Sequence, residues 1–264
     1  MRHVRLRSLC VAAASLTLLP LSAACSGSEA TEPTSEDGSK SATATAEVRS
    51  LTAAELKAAL LTEEEATGFD ITGTETVKGA GGKWEDPTTV KPAACKVLWN
   101  AETKGFGETA AATSILYPAS NSIDTRETLL AAFPADAARA RMTSLRKSLA
   151  TCGEFETKNQ YGQSSEKTDE LEAPGLGDEA IRFRTAGQVK TATVNKGQSH
   201  RLTTVVRTGN VVTRFRSDVL LGDLEPDQVA RFIPKPDEAL IAAQIAKVEE
   251  AIHQDTKRHT GGSR

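Results

Sequence analysis

The sequence predicts an α+β fold in which an antiparallel β-sheet, formed by a C-terminal meander, packs with helices and carries one disulfide. Extended, alternating segments separated by glycine turns fill the stretch from Asp178 to Val219, whereas segments with helical spacing lie on both sides of it. Cys95 and Cys152 are the cysteines that remain for a bond inside the domain, because Cys10 and Cys25 lie at the exported N-terminus. Residues 50–257 are predicted to form this domain, with a core of Val, Leu, Ile and Ala.

The N-terminus has the three parts of a secretory signal. Arg2, Arg5 and Arg7 precede an apolar run from Leu9 to Leu21, which is too short for a membrane-spanning helix. Small residues follow this run, as a signal peptidase requires. Residues 1–24 are therefore predicted to be a signal peptide.

Cys25 follows directly, in the motif Leu-Ser-Ala-Ala-Cys, which resembles the lipobox of bacterial lipoproteins. The resemblance implies diacylglyceryl transfer to the Cys25 sulfur, cleavage before it, and attachment to the extracytoplasmic face of the cell membrane. Ser22 departs from the pattern, which prefers Leu at that position. A plain export signal with an incidental cysteine is the alternative. Residues 25–49 are polar and predict a disordered tether with a reach of roughly 25–30 Å.

Composition and motifs exclude several functional classes. The net charge of -3, with acids and bases in balance, argues against a nucleic-acid partner. No G-x-S-x-G elbow, HExxH or paired-cysteine metal pattern occurs, and no second hydrophobic span follows the signal. We therefore expect no enzyme, cofactor or metal, and no fused kinase or channel. An acid-pair hydrolase stays open as a less favoured alternative, because Asp and Glu are common.

Cys95 and Cys152 are predicted to form a structural disulfide. An exported protein meets an oxidising compartment, and two remaining cysteines there pair most simply with each other. A metal site or a catalytic thiol is the alternative, but no histidine lies near either cysteine in the sequence.

The first half of the domain is predicted to mix helices and strands. The capping box Thr52-Ala-Ala-Glu55 begins the first helix. The predicted elements in order are that helix to near Gly68, a strand over Phe69–Val77, a loop at Gly79–Lys83, a short helix over Pro92–Trp99, an extended segment over Ala110–Tyr117, a segment over Asp124–Phe133 that is ambiguous between strand and helix, and a helix over Ala135–Leu149.

The second half is predicted to be β, followed by a helical tail. The predicted strands are Asp178–Thr185, Val189–Asn195, Ser199–Thr208 and Val211–Val219, with turns at Gly187, Gly197 and Gly209-Asn210. The tail from Pro226 to about Lys257 is predicted to form a short piece and a longer helix on the sheet, and residues 258–264 are expected to fray.

Pairing outward from the Gly209-Asn210 turn predicts that one sheet face is apolar and covered by helices. The other face is predicted to carry an arginine stripe that could receive an anion, comprising Arg182, Arg184, Arg207, Arg214 and Arg216. The alternative is an ordinary solvated sheet face. Trp99 is a further candidate, either lining a cleft or lying in the core.

Five short motifs resemble the PknH-like extracellular sensor domain of actinobacteria, found on receptor kinases and on free-standing lipoproteins. They are Leu51-Thr-Ala-Ala-Glu-Leu, Pro-Ala-Ala-Cys95-Lys-Val-Leu98, Leu149-Ala-Thr-Cys152-Gly-Glu-Phe155, Gly175-Leu-Gly-Asp178-Glu-Ala and Arg207-Thr-Gly-Asn210-Val-Val212. The resemblance covers about Leu51 to Ile252. It implies an antiparallel sheet flanked by helices, a ligand-binding cleft and no catalysis, and it assigns no ligand residues.

These observations predict a lipid-anchored, extracytoplasmic binding or sensing module. Its expected partners are the membrane, through the anchor on Cys25, and an anionic or lipidic envelope ligand held in a cleft. The main alternative is an envelope lipoprotein that works through protein contacts and takes no small ligand.

Overall fold

The computed structural model describes residues 49–78, 88–103, 108–120, 123–134, 136–160, 162–191 and 197–260. The predicted signal peptide, the lipidation of Cys25, nearly all of the tether and the loop at Gly79–Lys83 lie outside these residues. Within them the α+β class is confirmed, as is the disulfide between Cys95 and Cys152.

One antiparallel sheet of nine strands forms the centre of the described domain, in the order β1-β3-β4-β9-β8-β7-β6-β5-β2. The strands are β1 Phe69–Lys78, β2 Thr89–Lys91, β3 Ala110–Pro118, β4 Thr125–Ala132, β5 Glu154–Asn159, β6 Gly162–Leu171, β7 Glu179–Thr191, β8 Gly197–Thr208 and β9 Val211–Leu221. Thr208 pairs with Val211, so the predicted two-residue turn at Gly209-Asn210 is confirmed.

Helices cover both faces of the sheet. They are α1 Ala53–Ala58, α2 Lys96–Thr103, preceded by a 3-10 turn over Ala93–Cys95, α3 Ala137–Thr151, α4 Pro226–Val229 and α5 Glu238–Thr260. We call one side the α5 face, where Ile241 and Ile245 pack on Val206 and Phe215. The opposite side is the α2–α3 face, where Leu98, Met142 and Leu145 pack on Phe183, Val205 and Val212. The face predicted to carry the arginine stripe is therefore covered by helices as well, because α2 and α3 bury a second apolar set on it.

Several predicted boundaries differ from the structure. The first helix ends at Ala58, ten residues before Gly68, and turns fill the interval. The segment from Thr125 to Ala132 is a strand. Gly187 lies inside the continuous strand β7, where a turn was predicted. The last helix runs to Thr260, so the first part of the tail expected to fray from residue 258 is helical, and residues 261–264 lie outside the described part.

The chain enters the domain beside the β8–β9 turn. Arg49 forms ion pairs with Glu55 at the start of α1 and with the buried Asp255 near the end of α5. The Asn210 amide donates to the Arg49 carbonyl oxygen over 3.3 Å. These contacts join the first described residue to both a terminal helix and the hairpin.

Candidate ligand-binding site

The five arginines predicted to form a stripe lie on opposite faces of the sheet. Arg182 pairs across β7 and β8 with Thr204, which pairs in turn with Phe215 on the α5 face. Side chains two residues apart on a strand share a face, so Arg184 also lies on the α5 face. Arg207, Arg214 and Arg216 belong to the α2–α3 face, because they alternate with the residues that pack on α5. The prediction that all five arginines share one surface is wrong. It placed Arg182 and Arg184 on the same face as the other three arginines, whereas the pairing of β7 with β8 places them on the opposite face.

Carboxylates neutralise four of these arginines. Arg182 is 7% exposed and donates to both Glu238 oxygens, over 2.7 and 2.9 Å. Arg207 binds Asp178 and Glu179 over 2.7 and 2.6 Å. Such pairs leave little charge for an incoming anion, so these arginines hold the fold together.

The remaining two paired arginines share one carboxylate. Arg214 is 1% exposed and binds Glu127 over 2.5 Å while donating to the Ala101 carbonyl oxygen at 3.2 Å. Ala101 lies in the last turn of α2, where a cation also complements the helix dipole. Arg216 reaches the same Glu127 at 3.4 Å and Asp218 at 2.9 Å. Arg214 therefore attaches α2 to the sheet.

Arg184, the fifth, lies beside His200 on the α5 face. Burial first, and the Arg184 guanidinium second, lower the pKa of His200 below its ordinary value. His200 is therefore neutral at neutral pH, so Arg184 carries the one positive charge of this pair.

A cleft of about 260 Å³ opens on the α2–α3 face, beside α2. Its floor is formed by inward side chains of β5, β6, β7, β8 and β9, and α2 supplies one wall. The floor carries polar side chains on all of its strands, and they are Thr157, Asn159, Ser164, Glu166, Thr191, Ser199, Arg201 and Asp218. Its volume is slightly below the usual range for drug-sized ligands, which favours a small molecule.

Glu166 is the most buried charged group of the cleft, at 3% exposure. Its side chain lies flat over Gly187 on the neighbouring strand: a Cβ added to Gly187 would stand 2.3 Å from the Glu166 Oε2 atom and 2.7 Å from the Ser165 carbonyl oxygen. Ser199 lies 3.5 Å from the same Oε2 atom through its hydroxyl. Gly187 thus leaves the space in which the carboxylate rests, which is a common reason for glycine inside a strand.

Trp99 forms the apolar wall of the cleft. The Arg201 guanidinium carbon lies 5.5 Å from the centre of the Trp99 ring, within the range of a cation–π contact. Trp99 also packs against the core through its inner side. Leu220 also lines the cleft and is 60% exposed. Of the candidates chosen from the sequence, Trp99 lines this cleft, while the five arginines do not.

The floor residues Glu166, Arg201, Ser199 and Asp218 were not selected from the sequence. Two carboxylates, one guanidinium, four hydroxyls and an amide converge there, so the cleft offers donors and acceptors together with no excess of positive charge. The isolated Gly187 inside an alternating segment was the available signal, since such a glycine can mark a close approach.

The described residues contain no group of three or more His, Cys, Asp or Glu side chains arranged to hold a metal ion. In the same part of the chain, no helix is both long and apolar enough to cross a membrane.

Comparison with known proteins finds similarity in solved structures. The extracellular domain of PknH from Mycobacterium tuberculosis is 16% identical, with 78% of this chain and 99% of that chain covered and a TM-score of 0.47. An uncharacterised protein from Mycobacterium smegmatis, the Rv0999 ortholog, is 15% identical, with 74% and 96% covered and a TM-score of 0.41. No family model matches the chain, and no curated protein matches it. At this level of similarity neither structure assigns a ligand, partner or activity here.

Proposed function

We propose that the protein is a lipid-anchored, extracytoplasmic binding or sensing module without catalysis, and that its cleft holds a small, uncharged, hydroxylated ligand such as a sugar ring. The observation that carries this proposal is the Glu166 carboxylate, 3% exposed on the floor of an open cleft whose wall is Trp99. A charged group is costly to bury, so its presence at a concave surface favours a role in binding.

The mixture of polar groups supports a hydroxylated ligand. Each hydroxyl group both donates and accepts a hydrogen bond, so it can satisfy carboxylates such as Glu166 and Asp218 and donors such as Arg201 and Asn159 at once. The Trp99 ring and the exposed Leu220 offer apolar surface for the carbon skeleton of the same molecule.

An anionic ligand, expected from the arginines, has less support. In the cleft it would meet two carboxylates and one guanidinium, and four of the five arginines on which the expectation rested are paired with carboxylates. A bare acyl chain fits poorly as well, because it would cover the polar floor without satisfying its hydrogen bonds.

The hydrolase alternative also has less support. Glu166 and Asp218 stand on strands β6 and β9, three strand spacings apart and offset by two residues, or about 16 Å apart at the backbone. Arg216 holds Asp218 at 2.9 Å, on the side of the cleft away from Glu166.

The ligand proposal is tested by fluorescence. The chain has two tryptophans, so in a Trp84→Phe background the emission of Trp99 alone reports on the cleft. We expect titration with a panel of neutral mono- and disaccharides to change this emission at saturable concentrations, because a ring stacked on the indole excludes water from it. The same panel carrying phosphate is expected to bind more weakly.

Matched variants separate the site from the rest of the fold. Glu166→Gln should weaken saccharide binding about tenfold or more, since a charge-assisted hydrogen bond is lost. Glu154→Gln, on the exposed side of β5, should leave binding unchanged. A cleft that responds to no saccharide, or one that prefers the phosphorylated panel, would show the proposal to be wrong.

The anchor is tested separately. Metabolic labelling with a clickable fatty acid should mark the wild-type protein in the membrane fraction, and Cys25→Ala should abolish the label and release the protein. Recovery of an unacylated wild-type protein from the cytosol would contradict the proposed location.

A further inference from the structure

A second concave surface lies on the opposite side of the strands that form the cleft floor. Strands β2, β5, β6 and β7 extend beyond the helices that cover the α5 face, and their outward side chains line a groove of about 460 Å³. We call it the lysine groove, defined by the exposed side chains of Lys91, Lys158, Gln163, Ser165, Gln188 and Lys190. Glu156 is the carboxylate in its lining.

The pairing of the strands determines how the three lysines are spaced. Lys158 pairs with Gln163, which pairs with Lys190, so the two lysines stand two strand spacings or about 10 Å apart at the backbone. Lys91 lies two residues beyond Thr89, the residue opposite Lys158, which places it roughly 8 Å from Lys158. The lysines therefore follow a line across the sheet.

These lysines differ from the arginines in their partners. Within the described part of the chain, no ion pair joins Lys91, Lys158 or Lys190 to a carboxylate, whereas Arg182, Arg207, Arg214 and Arg216 are all paired. With Glu156 subtracted, the groove carries two net positive charges on a chain whose net charge is -3. The positive charge of the lysine groove is therefore concentrated on one surface, and no ion pair within the described residues neutralises it.

We propose that the lysine groove binds a linear phosphodiester polymer, independently of the ligand in the cleft. Lysine ammonium groups together with Ser, Thr and Gln side chains are the donors that contact phosphate oxygens along a nucleic-acid backbone, and the groove presents this set along one line. An extended chain with regularly spaced charges matches lysines distributed over three strands, whereas a single small anion would engage only one or two of them.

The test is the salt dependence of binding to poly(glycerol phosphate), measured by fluorescence anisotropy of the labelled polymer. If three lysines displace counterions as on a single-stranded polyanion, log K should fall with log[salt] with a slope of about -2, or roughly 20-fold between 50 and 200 mM salt. Lys91→Gln, Lys158→Gln and Lys190→Gln together should remove this slope, and each single change should lower it by about 0.7.

The matched control is the triple variant Lys57→Gln, Lys147→Gln and Lys235→Gln, which removes the same charge from exposed positions elsewhere. It should bind like the wild type. Equal losses in both triple variants, or equal affinity for polyglutamate, would overturn the proposal in favour of general charge attraction. Glu166→Gln should bind the polymer normally, so failure of the cleft proposal and failure of this one are distinguishable. Circular dichroism checks that each variant is folded.

Discussion

The disulfide between Cys95 and Cys152 supports a quantitative prediction about stability. It joins the turn before α2 to the end of α3 and closes a loop with a sequence separation of 57 residues. The chain-entropy treatment gives about 4 kcal/mol for a loop of this length at 25 °C. For a domain of this size, we expect reduction to lower the melting temperature by roughly 8–16 °C.

The assay compares three proteins in denaturant and heat: the oxidised wild type, the reduced wild type, and Cys95→Ala with Cys152→Ala. Both sulfur atoms are buried, with the cysteines 0% and 1% exposed. The reduced wild type keeps this packing and loses only the bond, so its deficit isolates the effect of loop closure. The double variant should be less stable again, by about 1–2 kcal/mol, because it also leaves small cavities.

The same experiment reports on the cleft. Trp99 follows Cys95 by one helical turn, so loosening the start of α2 should shift Trp99 emission and weaken saccharide binding before the sheet unfolds. Oxidised and reduced proteins that unfold at the same denaturant concentration would refute the reasoning about loop closure. Unchanged Trp99 emission in the reduced, folded protein would refute the link between the disulfide and the cleft wall.

Three further changes test other parts of the structure. Gly187→Ala should destabilise the fold by about 1–3 kcal/mol in urea titrations, because the new Cβ would overlap Glu166 and a backbone oxygen, and adding Glu166→Ala should recover part of this loss. Arg214→Ala should lower the free energy of unfolding by about 3–5 kcal/mol in the same assay, because removing this buried guanidinium leaves Glu127 and the Ala101 carbonyl oxygen without it. A loss under about 1 kcal/mol would contradict its role in attaching α2 to the sheet. The hydrogen bond from Lys247 lowers the pKa of Glu65 from 4.5 to about 2, so its stabilisation is present above pH 4.5 and is lost as the pH falls toward 2. Glu65 is a solvent-exposed group, so Glu65→Gln should cost under about 1 kcal/mol at pH 7 and progressively less as the pH falls through 2.

Hydrophobic periodicity predicted the strands whose inward sides are apolar. In β8 and β9 the buried Leu202, Val206 and Phe215 alternate with other residues, and the two-residue turn sets their register. The helix α3 was predicted for the same reason, from the buried Met142 and Leu145.

Two strands of the cleft floor, β5 and β6, escaped prediction because their inward side chains are mostly polar. The buried positions of β6 include Glu166 and Thr168, and β5 contributes Phe155 as its one large apolar side chain. Such strands have no apolar alternation to detect, and the same polarity gives the cleft its chemistry. Hydrophobic patterns fail to predict a strand where the polar side chains of a site occupy positions that apolar core residues would otherwise fill.

The arginine stripe failed for a different reason. The alternation of Arg182 and Arg184 was recognised correctly, but which face they occupy depends on the pairing of β7 with β8. That pairing is determined by long-range contacts. No local pattern contains it, and an error of one residue transfers every side chain to the other face.

Arg49 is attached beside the β8–β9 turn, so the chain enters the domain at the end of the sheet where this turn lies. Strand β8 runs from the cleft at Ser199 to this turn at Thr208, a distance of about 30 Å. If Cys25 fixes the chain to a membrane as proposed, the described domain is attached at the end of β8 away from the cleft. A ligand would then reach the cleft without passing the attached end of the domain.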